Sequence, residues 1–323
     1  MADITPANSR IWSKMGSRAV FGAALLELAS RRDDIYVLSA DLIISSGLDR
    51  FSKAYPDRCF NVGIAEQNLI GVAAGMAHDG ATVFATSFAP FISMRAGEQI
   101  RVNLGCMGLN VKAVGISSGL SIGHFGNSHY GIEDMSVTRS IPNITLLCPA
   151  DGAEIFKVVF AAADLKGPVY IRLTGGVNNP VVYGCDYEFV IGKSIRLREG
   201  DDLTVITNGT MVYQSVKAAE ILQGNGISAS VVNMHTVKPL DTAAVDEAAS
   251  RGPVVTVEEH SVIGGLGSAV AERKSTLKNT FPQLFIGLPD SYGKPGDYAY
   301  LLEKYGLTGE LIAKRIEKFY RGV

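Results

Sequence analysis

The chain of 323 residues is 47% hydrophobic and 19% charged with a formal net charge of -2, which suits two α/β domains of ordinary size, each with its own core. Basic and acidic residues are interspersed, so there is neither the basic stripe of a nucleic-acid binder nor a charged tail. The most apolar segment, 63–94, is broken by His78 and Asp79, which excludes a membrane span there.

The opening MADITPANSR has no apolar stretch of secretory type. Short apolar runs then alternate with helical patterns, the sequence sign of a parallel sheet. Strands are predicted over 35–40, 59–62, 82–86, 111–116, 144–148 and 169–173, with helices over 65–77, 88–104 and 153–163. The Gly-, Pro- and Asn-rich segment GGVNNPVVYG (175–184) predicts a linker. A second alternation follows, with strands over 203–207, 229–234, 254–258 and 284–287 and helices over 212–222, 242–249 and 267–277 before closing helices. The expectation is two open, mostly parallel-sheet α/β domains, 1–186 and 187–323. Cys59, Cys106, Cys148 and Cys185 form no C-x-x-C pair, and Cys106 and Cys148 sit among apolar residues. That usage predicts a reducing, cytoplasmic setting.

The most informative stretch is NVGIAEQNLIGVAAGMA (61–77), where a strand ends, Gly63 allows a turn and Glu66 opens an apolar helix. On residues alone, Glu66 also fits a carboxylate that stabilises the positive end of a helix dipole. Phe88, Phe91 and Met94 recur at three-residue spacing, a stripe that also suits plain core packing. The run IGGLGS (263–268) follows a strand and opens a helix, but Val270 stands where a dinucleotide fingerprint needs Gly or Ala.

Six ordered motifs give these residues a context: SADL (39–42), VGIAEQN (62–68), TSFAPF (86–91), RSIPNI (139–144), PADGAE (149–154) and VEEHSVIGGLGS (257–268). Through them the chain resembles the transketolase family, deoxyxylulose-phosphate synthases included, over nearly its whole length. The resemblance implies a thiamine-diphosphate pyrimidine-binding domain followed by a transketolase C-terminal domain. It implies that Glu66 shares a proton with N1′ of the thiamine aminopyrimidine, favouring the tautomer that deprotonates thiazolium C2. An apolar, water-poor pocket would raise the proton affinity of such a carboxyl group. Phe88 and Phe91 are implied to stack on the aminopyrimidine, Met94 to stand where many relatives carry an aromatic residue, and Asp41 to lie close to the cofactor. Arg18, Ser45 and Arg172 match positions that grip a sugar phosphate, although Arg172, on a buried strand, equally suits a structural carboxylate. His129 in GNSHYGIED matches a histidine that faces the reacting carbonyl; His124 is its near neighbour, while His78, His235 and His260 are expected to be structural.

Two departures bear on substrate choice: Phe125 stands where relatives place an acidic residue near a sugar hydroxyl, and Ser117 where they often have histidine near the phosphate. The family's G-D-G motif for diphosphate and a divalent metal is absent from this sequence. The resemblance therefore implies that thiamine diphosphate is shared with an N-terminal transketolase subunit, that the ligands to Mg2+ or a similar cation come from that subunit, and that two such pairs form a heterotetramer. The expected activity is transfer of a two-carbon ketol unit between sugar phosphates. The alternatives are a beta subunit of a 2-oxoacid dehydrogenase or a non-catalytic partner-binding chain.

Overall fold

A computed structural model describes residues 2–322; Met1 and Val323, the outermost residues of the expected 1–186 and 187–323 domains, lie outside the described residues. The chain opens with two helices that the alternation of apolar runs did not predict in full, α1 (Pro6–Met15) and α2 (Ser17–Ala29). The hydroxyl of Thr5 accepts from the amide of Asn8 and Pro6 opens α1, the pairing of cap and proline that starts helices well. Trp12 of α1 stacks on Phe156 with ring centroids 4.5 Å apart, which fixes α1 to the helix Gly152–Asp164.

There follow β1 (Ile35–Ser39), α3 (Asp49–Ala54), β2 (Cys59–Asn61), α4 (Glu66–His78), β3 (Thr82–Phe88), β4 (Val111–Ser118), β5 (Thr145–Leu147) and β6 (Val169–Thr174). The second half supplies β7 (Ile195–Arg198), β8 (Leu203–Thr207), β9 (Ala229–Asn233), β10 (Thr236–Lys238), β11 (Val254–Ser261) and β12 (Gln283–Leu288). The strands form two mostly parallel sheets, seven-stranded β10-β5-β6-β4-β3-β1-β2 and five-stranded β12-β11-β8-β9-β7. This is the two-domain α/β architecture that the alternation predicts. Every residue of β4 and β6 is buried, as expected of strands covered on both faces by helices.

Three features differ from expectation. The predicted helix over 88–104 starts later, because the β3–β4 ladder pairs Phe88 with Ile116 and keeps Phe88 in the strand. Its helical part is wound in two π segments, Phe91–Arg95 and Ile100–Cys106. Short β7 and β10 are antiparallel edge strands without a clear apolar run, and β10 leaves the second half to pair with β5 of the first sheet.

That returning strand is one part of a polar seam between the halves. Asp151 caps the helix Gly152–Asp164, and Glu154 in its first turn accepts from the amide of Ala150 (2.7 Å) and from Asn233 Nδ2 of β9 (2.9 and 3.0 Å). Glu259 of β11 accepts from the amide of Leu120, from Thr210 and from Tyr298. The motifs PADGAE and VEEHS thus join the two halves through buried carboxyl groups that all have hydrogen-bond partners.

Candidate active site

The carboxyl ends of β1 to β4 lie side by side, the place where open α/β sheets put their ligand sites. Asp41 follows β1 in a left-handed conformation (φ 61°) and is exposed. Asn61, the last residue of β2, donates to Asp41 Oδ1 (2.9 Å) and accepts from the amides of Asp41 (2.9 Å) and Gly63 (3.0 Å). Gly63 has φ 78°, which a side chain would resist, so the chain turns sharply into α4. Glu66 is the first residue of α4 and is only 2% exposed. Ser87 Oγ donates to Glu66 Oε1 (3.1 Å) and Arg95 Nη1 to Oε2 (2.7 Å). The expected apolar pocket around this carboxylate is therefore corrected: a hydroxyl and a guanidinium face it.

Aromatic rings gather beside it. Phe88 at the end of β3 and Phe91 at the start of the first π segment meet edge to face at 6.1 Å. His129 approaches both, 5.8 Å from Phe88 and 5.2 Å from Phe91. The loop that carries it leaves β4 and closes through paired backbone hydrogen bonds between Gly119 and Gly131, so His129 rides on a pinned excursion. Phe125 lies on the imidazole in a stacked arrangement, 4.9 Å away at 26°, and His124 packs on Phe125 instead of the cluster. Ser128 Oγ is 3.0 Å from His129 Nδ1. Met94 is exposed beside Arg95, whose guanidinium lies over the Phe91 ring at 4.4 Å.

A separate cleft of about 270 Å³ is lined by Ser17, Arg18, Ser45 and Gly176 among others. Arg18 stands in the first turn of α2, where amides and dipole favour an anion. Partial burial pulls its proton affinity down. Arg172 is not part of this cleft. It is fully buried, its Nε 3.0 Å from both oxygens of Asp134, its Nη2 donating to the carbonyls of Gly131 (2.8 Å) and Glu259 (2.9 Å). The expectation of a phosphate contact from Arg172 is corrected accordingly: a guanidinium sealed on a carboxylate has no face left to offer an anion. Ser117 is buried at the end of β4 with φ 53°.

The structure thus assembles Glu66, Phe88, Phe91, Phe125 and His129 in one cluster, and Arg18 with Ser45 in another. Sequence reasoning missed Arg95, Ser87 and Asn61. Arg95 had a visible signal, a cation four residues after Phe91 in an apolar helical stretch. Among the described residues no group of three or more His, Cys, Asp or Glu is placed to hold a metal ion. No helix among them is long and apolar enough to cross a membrane.

Comparison with known proteins matches the sequence to a family. The transketolase pyrimidine binding domain matches residues 13–177, and the transketolase C-terminal domain matches residues 192–312. A putative transketolase C-terminal section of Methanocaldococcus jannaschii is 44% identical over 303 residues, covering 93% of this chain and 95% of that protein. A 6-deoxy-6-sulfo-D-fructose transketolase subunit of Clostridium sp. is 43% identical over 293 residues, 90% of each. Among solved structures, a split-gene transketolase described as an inactive β4 tetramer superposes with a TM-score of 0.85 at 42% identity, covering 94% of this chain and 97% of its own.

Proposed function

Because this chain belongs to the transketolase family, we propose that it is the C-terminal subunit of a split, thiamine-diphosphate-dependent transketolase. In this reading it transfers a two-carbon ketol unit between sugar phosphates, in the cytoplasm, once an N-terminal subunit completes the site. The observation that carries the proposal is Glu66, a buried carboxylate at the mouth of a cluster of Phe88, Phe91 and His129. A flat heteroaromatic ring fits between such faces, and a carboxylate at its edge fits a ring nitrogen that carries a proton.

Thiamine diphosphate, when bound, supplies the nucleophilic carbon and the electron sink that carbon–carbon cleavage needs. Glu66 holds a proton between its carboxylate and the ring nitrogen, with Ser87 fixing the second oxygen. Phe88 and Phe91 orient the aminopyrimidine and exclude water from it, with Asp41 and Met94 at its margin. His129 has Nδ1 next to Ser128 Oγ, so its other nitrogen serves the substrate oxygen. Arg18 and Ser45, with the amides at the start of α2, take the terminal phosphate. Ser117 and Phe125 border the sugar. A divalent cation such as Mg2+ and the diphosphate fall to the partner chain, and two such pairs make a heterotetramer. The relative described as an inactive β4 tetramer supports this dependence on a second kind of chain, and the relative named for a sulfosugar supports an unusual sugar as substrate.

The test is Glu66→Gln in the complex with the partner chain. The change preserves volume and removes proton sharing, so turnover falls at least about a hundredfold while assembly persists. Turnover within about threefold of wild type would refute the assignment. The isolated chain should show neither ketol transfer nor magnesium-dependent micromolar binding of the cofactor by calorimetry.

A further inference from the structure

Arg95 makes two contacts at once. Its Nη1 donates to Glu66 Oε2 at 2.7 Å, and its guanidinium carbon lies 4.4 Å from the centre of the Phe91 ring, over its face. These are the two interactions that the proposed function gives to the aminopyrimidine: a proton-bearing nitrogen on Glu66 and a flat face on Phe91. A guanidinium is planar, cationic and rich in N–H donors, so it imitates that ring in shape, charge and hydrogen bonding. We propose that Arg95 is a placeholder which holds the aminopyrimidine slot and must swing away when the cofactor enters. The inference rests on the proposed function and adds a step to it.

The local structure explains both how the placeholder holds and how it leaves. Phe91 and Arg95 are the first and last residues of a π segment, whose wider winding sets the arginine back over the ring four residues earlier. Glu66 is 2% exposed, and without a charged donor it would be a buried carboxylate with only Ser87 for company. Arg95 answers that need. Yet its own side chain is 48% exposed, with solvent on the far side to receive the released guanidinium. Contrast Arg172, whose side chain is 1% exposed and which has no such way out. The other groups that face Arg95 are aromatic: Phe91 directly, with Phe88 and His129 against Phe91. Nothing anionic besides Glu66 ties it down among the described residues.

A slot open for only a fraction of the time weakens apparent affinity by that fraction and slows entry likewise. Removing the placeholder should therefore tighten cofactor binding, the opposite of what loss of an ordinary binding residue does. The experiment is calorimetric and stopped-flow titration of thiamine diphosphate with Mg2+ into the complex of this chain and its partner. Wild type, Arg95→Ala and Arg95→Gln are compared, the last retaining an N–H donor in case the alanine variant folds poorly. The expected result is a Kd roughly three- to tenfold lower and a faster association rate for Arg95→Ala, with Arg95→Gln between it and wild type. An unchanged or higher Kd in both variants overturns the placeholder and makes Arg95 a permanent companion of Glu66. Should the wild-type complex itself not bind the cofactor, the proposed function falls, and this inference with it.

Discussion

Two arginine–carboxylate pairs lie in the same half of the molecule and serve different ends. Arg172 and Asp134 are sealed, with side-chain exposures of 1% and 0% and further donors and acceptors on every side: Tyr170 donates to Asp134, and Arg172 reaches two carbonyls. Arg95 and Glu66 are as close, at 2.7 Å, but the arginine is 48% exposed. The chemistry of the two contacts is the same; closure separates them. A sealed pair has been fully desolvated and all its partners are fixed, so it specifies how the halves join. A half-open pair is exchangeable, and exchange is what a ligand site requires.

The largest expected effect breaks the sealed pair. Arg172→Ala leaves Asp134 charged, buried and unpaired, and should cost about 3–5 kcal/mol of stability, read as a lowered urea midpoint. Arg95→Ala, by contrast, should cost less, because removing a half-exposed side chain lets water reach the Glu66 carboxylate that it leaves behind. Equal losses would erase the distinction between the two. The Arg172 variant should also lose activity equally on phosphorylated and unphosphorylated sugars, as a structural residue does.

The seam also predicts a pH dependence. Burial pushes the Glu154 carboxyl up to about 8, against the opposing donation from Ala150 and Asn233. The folded state therefore holds this proton over a range in which the unfolded chain, near pH 4.5, has released it. Stability from this group is fully present below about pH 4.5 and is lost as pH rises through about 8, at about 1.4 kcal/mol per unit of difference. Urea titrations from pH 5 to 9 should show the decline in wild type and a flatter profile in Glu154→Gln. A parallel decline in both would remove Glu154 from the account.

How much of this was legible beforehand follows from what each feature depends on. The two sheets were legible because buried parallel strands are mostly apolar runs, interrupted in β4 by Lys112 and in β6 by Arg172. The edge strands β7 and β10 were not, since an edge needs no apolar face and β10 pairs with a strand some ninety residues earlier. Glu66, Phe88 and Phe91 could be singled out because they sit in motifs, and His129 because RSIPNI downstream fixes its register. Whether an arginine is sealed or open depends on tertiary closure, which a local pattern does not record. Thus Arg172 was assigned to a phosphate that it does not meet, and Arg95 passed unnoticed.

A smaller effect tests the open side at its second cluster. Arg18→Ala should raise KM for phosphorylated sugars roughly tenfold or more, because a charge-assisted hydrogen bond is worth about 1.5–3 kcal/mol. KM for unphosphorylated analogues should change within about twofold. A uniform loss across both substrate types would move Arg18 to the structural group with Arg172.

The smallest effect concerns Phe125, which is half exposed yet stacked on His129 at 4.9 Å. A phenyl ring there covers one face of the imidazole and offers no acceptor to a neighbouring sugar hydroxyl, which is left desolvated when the substrate binds. Sugars that lack this hydroxyl, present it in the opposite configuration or branch at that carbon should suffer less. The wild-type complex should accordingly favour such sugars over xylulose 5-phosphate with ribose 5-phosphate. Phe125→Asp restores an acceptor and should shift the ratio of kcat/KM toward the ordinary pentose phosphates by about three- to tenfold. Phe125→Leu separates the two roles of the ring, for it removes stacking on His129 without adding an acceptor. It should lower turnover modestly while leaving the preference among sugars in place. A wild-type preference for the ordinary pair that Phe125→Asp leaves untouched would show that the ring only packs against His129, and that the open site reads its sugar elsewhere.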